Sequence, residues 1–127
     1  MSGPLNESIL QSVKNVLGIP PEHEYFDQQI LFHINTVMAV LNQLGVGPRE
    51  GFMVEDETAI WYDLIGGTPY EKRFLYVKSY VYLRVRLLFD PPTSSGAIDA
   101  MERQLKELEW RITVTLDPSE MGEEVSE

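Results

Sequence analysis

The segment Thr68 to Pro92, TPYEKRFLYVKSYVYLRVRLLFDPP, decides how this chain is read. Within it Val81, Leu83, Val85 and Leu87 alternate with Tyr82, Arg84 and Arg86, the period-two pattern of a half-buried strand. Phe74, Val77, Val81, Val85 and Leu88 also recur at spacings of three, four, four and three, the stripe of a helix. The start of the segment breaks the tie. Thr68-Pro69-Tyr70-Glu71 has the form of a capping box, with Thr at the cap, Pro at the first helical position and Glu reaching back. No breaker interrupts the next twenty or so residues, and so long a run favours the helix. Asp90-Pro91-Pro92 ends it, because Pro lacks the amide donor and pushes its predecessor out of the helical region. The apolar surface of this helix is wider than one stripe, so it is expected at the centre of the fold, touching several neighbours.

C-terminal to the break, Thr93, Ser94 and Ser95 offer caps for another helix. Ile98, Met101, Leu105, Leu108 and Ile112 form its stripe at spacings of three, four, three and four, and Trp110 lies off that stripe. Asp117-Pro118 closes the domain. The acidic segment Ser119 to Glu127 has almost no apolar anchors and is expected to be flexible on its own.

N-terminal to the central helix, Gly66-Gly67 reads as a turn. Asp56 is expected to cap a brief helix over 57–64, with Ile60 and Leu64 on one side; Trp61 and Tyr62 read as cover for the core in preference to a contact site. Residues 46–56 are irregular, and Gly51 to Val54 could form a short strand or an extended loop. Before them Ile30, Ile34, Val37, Leu41 and Leu44 make one continuous stripe, with Asp27 as its expected cap and Gly45 as its stop. Ile9, Val13 and Val16 mark a short first helix, with Asn6 as its expected cap and Gly18 and Pro20-Pro21 as its end. The expectation is an all-α fold, a small helical bundle of about four to five helices. It forms a single domain over residues 1–116, followed by the acidic tail 117–127.

A chain of 127 residues suffices for one core and not two. Its formal net charge is −10, a field that repels phosphate backbones and makes unaided DNA or RNA binding an unfavourable reading. The charge is unevenly placed. Up to residue 71 the only bases are Lys14 and Arg49, whereas between Lys72 and Arg111 the bases outnumber the acids. An acidic body with one locally basic hairpin suits association through complementary patches, although solvated helix faces would read the same way. The absence of Cys excludes disulfides and thiolate metal sites. MSGPLNES is polar, and the stretch from Val81 to Phe89 is short and broken by arginines, so neither a leader nor a membrane span is expected.

The residues offer little chemistry. Gly45-Val46-Gly47 lacks the Lys-Ser/Thr of a phosphate loop. His23, set among Glu22, Glu24 and Asp27, reads more simply as part of a polar turn than as a metal site. His33, inside an apolar helix, reads as a core or interface side chain. Glu55-Asp56-Glu57 reads as a cap in a favourable dipole rather than a cation site. No catalytic, cofactor-binding or metal-ligating residue is assigned, and no enzyme activity is expected. Tyr80, Tyr82, Arg84, Arg86, Trp110 and Arg111 stand apart, because Tyr, Trp and Arg dominate interface hot spots. These six are the expected protein-contact residues; the competing reading is tyrosines wrapping the core and arginines in solvent.

Two segments, FDQQILFHINTVMAVLNQLGVGP from Phe26 to Pro48 and VKSYVYLRVRLLFDPPTSSGAIDAMERQLKELEWRI from Val77 to Ile112, resemble the head–tail connector, or adaptor, proteins of long-tailed phages and prophages. The Tyr-Leu-Arg-Val-Arg, Phe-Asp-Pro-Pro and Glu-Leu-Glu-Trp-Arg stretches carry the likeness most specifically. The resemblance implies a structural virion protein at the head–tail interface, made in the host cytoplasm. It implies a homo-oligomeric ring, usually a dodecamer, beneath the portal protein. Such a ring extends the DNA channel after packaging, meets a stopper or tail protein, and lets genomic DNA pass without sequence-specific binding. It implies no cofactor, no membrane and no short functional motif to transfer. The rival readings are a generic helical interaction module without a virion role, an enzyme built around His23, His33 and the Glu55 cluster, and a DNA-binding protein.

Overall fold

The computed structural model describes residues 4–66 and 71–116. A 3-10 turn at Pro4–Asn6 leads into five α-helices: α1 (Ile9–Val16), α2 (Asp27–Gln43), α3 (Trp61–Ile65), α4 (Glu71–Phe89) and α5 (Ser95–Leu116). Among the described residues there is no strand, so the segment near Gly51 to Val54 is an extended loop. An antiparallel bridge lies elsewhere, joining Ser8 to Ile60 through Ile9 N–H to Ala59 C=O (2.9 Å) and Trp61 N–H to Glu7 C=O (3.2 Å).

The segment with the strand-like alternation is helical. Packing against α1, α2 and α5, α4 forms the centre of the bundle. Phe74, Val77, Val81 and Val85 are buried as the helical stripe requires, but Leu88 is 45 % exposed because the stripe leaves the core before the helix ends. The Asp90 amide closes the last turn on the Arg86 carbonyl at 2.8 Å, and Arg86 Nε donates to the Asp90 carbonyl at 2.8 Å. α5 begins under Ser94, whose hydroxyl accepts from the Ala97 amide (3.2 Å). Leu105, Leu108 and Ile112 are buried, whereas Ile98 and Met101 are only half-buried in the first turns.

Along α2, Ile30, Ile34, Val37 and Leu41 are buried as expected, joined by Leu31 and Met38, while Leu44 is half-buried. α1 buries Ile9 and Val13, but Leu10 takes the third core place and Val16 is 44 % exposed. A helix of eight residues cannot persist alone, and tertiary anchors hold it. One anchor is Lys14, fully buried, with Nζ donating to the Pro21 carbonyl (3.1 Å). The same Nζ lies 2.8 Å from Asp27 Oδ1 but outside hydrogen-bonding geometry, so charge holds the contact.

Three caps differ from expectation. Ser8, not Asn6, caps α1, with its hydroxyl accepting from the Gln11 amide (3.2 Å). Phe26 holds the cap position of α2 without a side-chain bond, and Asp27 is the first helical residue, turned to Lys14. Asp56 closes a turn on the Thr58 amide (2.9 Å) rather than opening a helix. The short helix starts later, at Trp61, and Asp63 Oδ2 accepts from the Ile60 amide (3.0 Å). Trp61 is fully buried, with Nε1 donating to Ser12 Oγ (3.2 Å); Tyr62 is 49 % exposed and does not cover the core. The expected cap at Thr68 and the tail 117–127 lie outside the described residues.

The long loop is tied down by a side chain that imitates a strand. Asn35 Nδ2 donates to the Val54 carbonyl (2.9 Å), and the Val54 amide donates to Asn35 Oδ1 (2.7 Å), so Val54 can be buried without losing its backbone bonds. At Gly47, φ is +87° and an added Cβ would sit 3.0 Å from Leu64 Cδ1, so only glycine fits the close approach of loop and α3 without adjustment.

Candidate protein-contact surfaces

The six residues singled out in the sequence do not form one surface. Antiparallel packing of α4 and α5 turns Tyr80 inward, where it is fully buried. Its hydroxyl donates to Glu109 Oε2 (2.6 Å) and accepts from Arg84 Nε (3.1 Å), and Arg84 Nη2 also reaches Glu109 Oε2 (3.1 Å). This triad belongs to the seam between the two helices, and Tyr80 is corrected from contact residue to core residue. Burial raises its phenol pKa, and the bond to Glu109 adds to that because the carboxylate resists a second negative charge beside it. For Arg84, burial works against the charge, but the bonds to Tyr80 and Glu109 outweigh it and the pKa rises.

Tyr82 faces the other way, toward α1 and α3. Its ring meets Trp61 edge-on at 6.2 Å, and Lys78 Nζ lies 5.9 Å from its centre. Burial raises its phenol pKa, partly offset by the hydroxyl's bond to Ser12. Arg86 is exposed at the C-terminal end of α4. Arg111 sits over Tyr76 (5.9 Å) and pairs with Glu107 (Nη2 to Oε2, 2.6 Å), which raises its pKa. Trp110 makes none of these contacts and is 63 % exposed on the face of α5 turned from the core. Its position off the Leu105, Leu108 and Ile112 stripe had marked it for that face.

A second surface escaped the sequence reading. At the end of the bundle where α2 begins and α4 finishes, aromatic rings run in series. Tyr25 meets Phe26 (4.9 Å), Phe26 meets Phe89 (5.4 Å), Phe89 meets His33 (6.3 Å) and His33 meets Phe32 (5.8 Å). Tyr25 is 83 % and Phe32 69 % exposed. A usable signal was present: Phe32 lies opposite the stripe of α2, as Trp110 lies opposite that of α5. Tyr25, in the loop before α2, carries no such periodic mark.

His23 is exposed and stacks loosely on Phe26 (6.1 Å), and His33 is half-buried among aromatic rings. Among the described residues no group of three or more His, Asp or Glu is placed to hold a metal ion. An open groove of about 510 Å³ between α2 and residues 50–53 is lined mainly by Met38, Ala39, Asn42, Phe52 and Met53, with Glu50 as its one ionisable group. No helix among the described residues is long and apolar enough to cross a membrane.

A small helical bundle with polar groups spent on its own seams and large side chains left exposed has the character of an assembly component. The sequence agrees: residues 9–119 match the family model described as phage connector protein, and the chain belongs to that family. The family is one of structural proteins of phage particles. No curated protein and no solved structure matches the chain.

Proposed function

We propose that this protein is a head–tail adaptor that assembles as a ring, with twelve copies the expected number, beneath the portal of a packaged capsid. There it extends the DNA channel and presents a surface to the stopper or tail protein, within the virion. Family membership over residues 9–119 carries this reading. The exposed Trp110 and Arg86, and the half-exposed Arg111 next to Trp110 in sequence, supply contact groups of the kind that dominate interfaces. Arg84, half-buried, braces α5 through Glu109, whereas Tyr82 is turned to α1 and α3 and would serve a contact only on that side. The net charge of −10 per copy disfavours adhesion to passing DNA, so the channel wall is expected to be acidic.

Electron microscopy of the protein mixed with its portal tests this directly. A ring of extra density on the tail-facing side of the portal is the expected result. A protein that leaves the portal bare at micromolar concentration, or a phage lacking the gene that still joins heads to tails, would refute it. A ring with a basic lumen would refute the charge argument alone.

A further inference from the structure

After Glu71, α4 carries five bases and no acid: Lys72, Arg73, Lys78, Arg84 and Arg86. Three of them are accounted for. Arg84 meets Tyr80 and Glu109, Arg86 turns onto the Asp90 carbonyl, and Lys78 lies over the rings of Phe74 (5.2 Å) and Tyr82 (5.9 Å). Lys72 and Arg73 enter no ion pair among the described residues. Lys72 is exposed, whereas Arg73 is half-buried and its Nε is buried without a hydrogen-bond partner. Burial lowers the Arg73 pKa, and no acid among the described residues offsets it. The acids on the facing stretch of α5 are taken, Glu109 by Tyr80 and Arg84 and Glu107 by Arg111. Arg73 stands seven residues before Tyr80, two turns back on the same face of α4. Tyr80 is level with Glu109, and Tyr76 with Arg111. Because α4 and α5 run antiparallel, the same two turns, about 10 Å, lead from Glu109 to Leu116, where α5 ends. The segment that continues from that point is Asp117 to Glu127, which holds five acids (Asp117, Glu120, Glu123, Glu124 and Glu127) and no base. Pro118 disfavours the helical region at Asp117, which favours a turn away from the α5 axis at the level of Lys72 and Arg73.

We propose that the acidic segment 117–127 is the occupant of this basic end: it folds back past Leu116 and lays its carboxylates on Lys72 and Arg73 of its own copy. The contact gives Arg73 Nε the acceptor that the helices do not supply and sets opposite charges together. Eleven residues reach about 36 Å when extended, far more than the return to α4 requires. Each exposed ion pair is weak, but a tethered segment offers its acids at an effective concentration of about millimolar, so weak pairs suffice. Docked there, the segment neutralises the acid-free first turns of α4, and an acidic partner must displace it before using them. The contact is thus a built-in gate on that end of the molecule. Glu120, Glu123, Glu124 and Glu127 lie beyond the residues 9–119 that match the connector family, and the contact does not depend on the connector reading.

The test uses the whole chain, which has no cysteine, with a nitroxide attached through Ser126→Cys. Paramagnetic relaxation is then read at the Lys72 and Arg73 amides and at Arg73 Nε–H. At low ionic strength it should be strong, and it should fall at least about threefold in roughly 0.5 M salt, where exposed charge pairs are screened. The same fall is expected without salt in Lys72→Gln/Arg73→Gln, which keeps good helix formers in α4. It is also expected in Glu120→Gln/Glu123→Gln/Glu124→Gln, whose changes lie beyond α5. Circular dichroism checks each variant, and the second decides the matter should the first lose its helices. Relaxation at Lys72 and Arg73 that is unaltered by salt and by the Glu→Gln changes would overturn the proposal, since the segment would then pass these bases without docking. A mixture of labelled, isotope-free protein with unlabelled, isotope-enriched protein should show no relaxation at Lys72 or Arg73. Relaxation in that mixture as strong as within one copy would place the segment on a neighbouring molecule and overturn the contact within one copy. None of these outcomes bears on whether the protein binds a portal, so the connector reading is tested separately.

Discussion

Asn35→Ala removes a half-buried side chain that belongs to neither aromatic surface, yet it should loosen the whole middle of the chain. Asn35 satisfies both backbone groups of Val54, at 2.9 and 2.7 Å, and the Val54 side chain is 1 % exposed. Alanine leaves an amide and a carbonyl without partners where Val54 is buried. Each orphaned group costs about 1–3 kcal/mol. Because Asn35 itself is half-buried, water can recover part of this, and a total loss of about 2–4 kcal/mol is expected. Against a domain stability of about 5–15 kcal/mol that is a large fraction. With a urea slope of about 1–3 kcal/mol per molar, the midpoint should fall by roughly 1–2 M with the slope unchanged. Amide exchange gives a second, local reading: the Val54 N–H should be protected in the wild type and exchange rapidly in the variant. Asn35→Asp should be intermediate, since it keeps an acceptor for the amide and sets a carboxylate against the carbonyl. A midpoint shift below about 0.3 M, or a Val54 amide that stays protected in Asn35→Ala, would show that the loop is held by something other than this side chain.

The two tryptophans should separate fold from assembly. Trp61→Ala, at a site with no exposure, should cost about 3–5 kcal/mol in chemical denaturation. Trp110→Ala, 63 % exposed, should change stability by no more than about 0.5 kcal/mol, and a cooperative loss of fold in that variant would mean that Trp110 is structural. In alkali, Tyr80 and Tyr82 have folded pKa values raised above 10.0, so their contribution is fully present below pH 10 and is lost as pH rises through the folded values. Phenolate absorbance should therefore show late-titrating tyrosines that appear together with unfolding, and Tyr80→Phe should remove one of them; early ionisation of both would contradict the burial. In acid, Asp56 has a pKa lowered by its bonds to Thr58, so the turn it closes should be intact above the ordinary value of 3.8 and loosen as pH falls through the lowered one, seen as faster exchange of the Thr58 amide.

Much of the helical layout was legible before any coordinates. The proline break at Pro91-Pro92 and the stripes of α2, α4 and α5 are local patterns, the stripes set by a 3.6-residue repeat acting within each segment, whereas the expected caps at Asn6, Asp27 and Asp56 fell elsewhere. The exposure of Trp110 was legible for the same reason. The ends of the stripes were not, because Val16, Leu88, Ile98 and Met101 are apolar by type and only the length of the neighbouring helix decides whether anything covers them.

Periodicity along the chain therefore determined the helical class, the helix that lies at the centre, and which side of each long helix faces inward. Contacts between residues far apart in sequence were decided only by the tertiary structure. The sequence marked Tyr80 as a surface aromatic, but Glu109 and Arg84 give its hydroxyl partners and let it enter the core. Lys14, which spacing along α1 gives no partner, is buried because Asp27 and the Pro21 carbonyl receive its charge. Phe26, Phe89 and His33 become one surface only when α2 and α4 are laid side by side. A polar or aromatic side chain is placed by the partner that satisfies it, and that partner is fixed by packing between elements rather than by spacing within one.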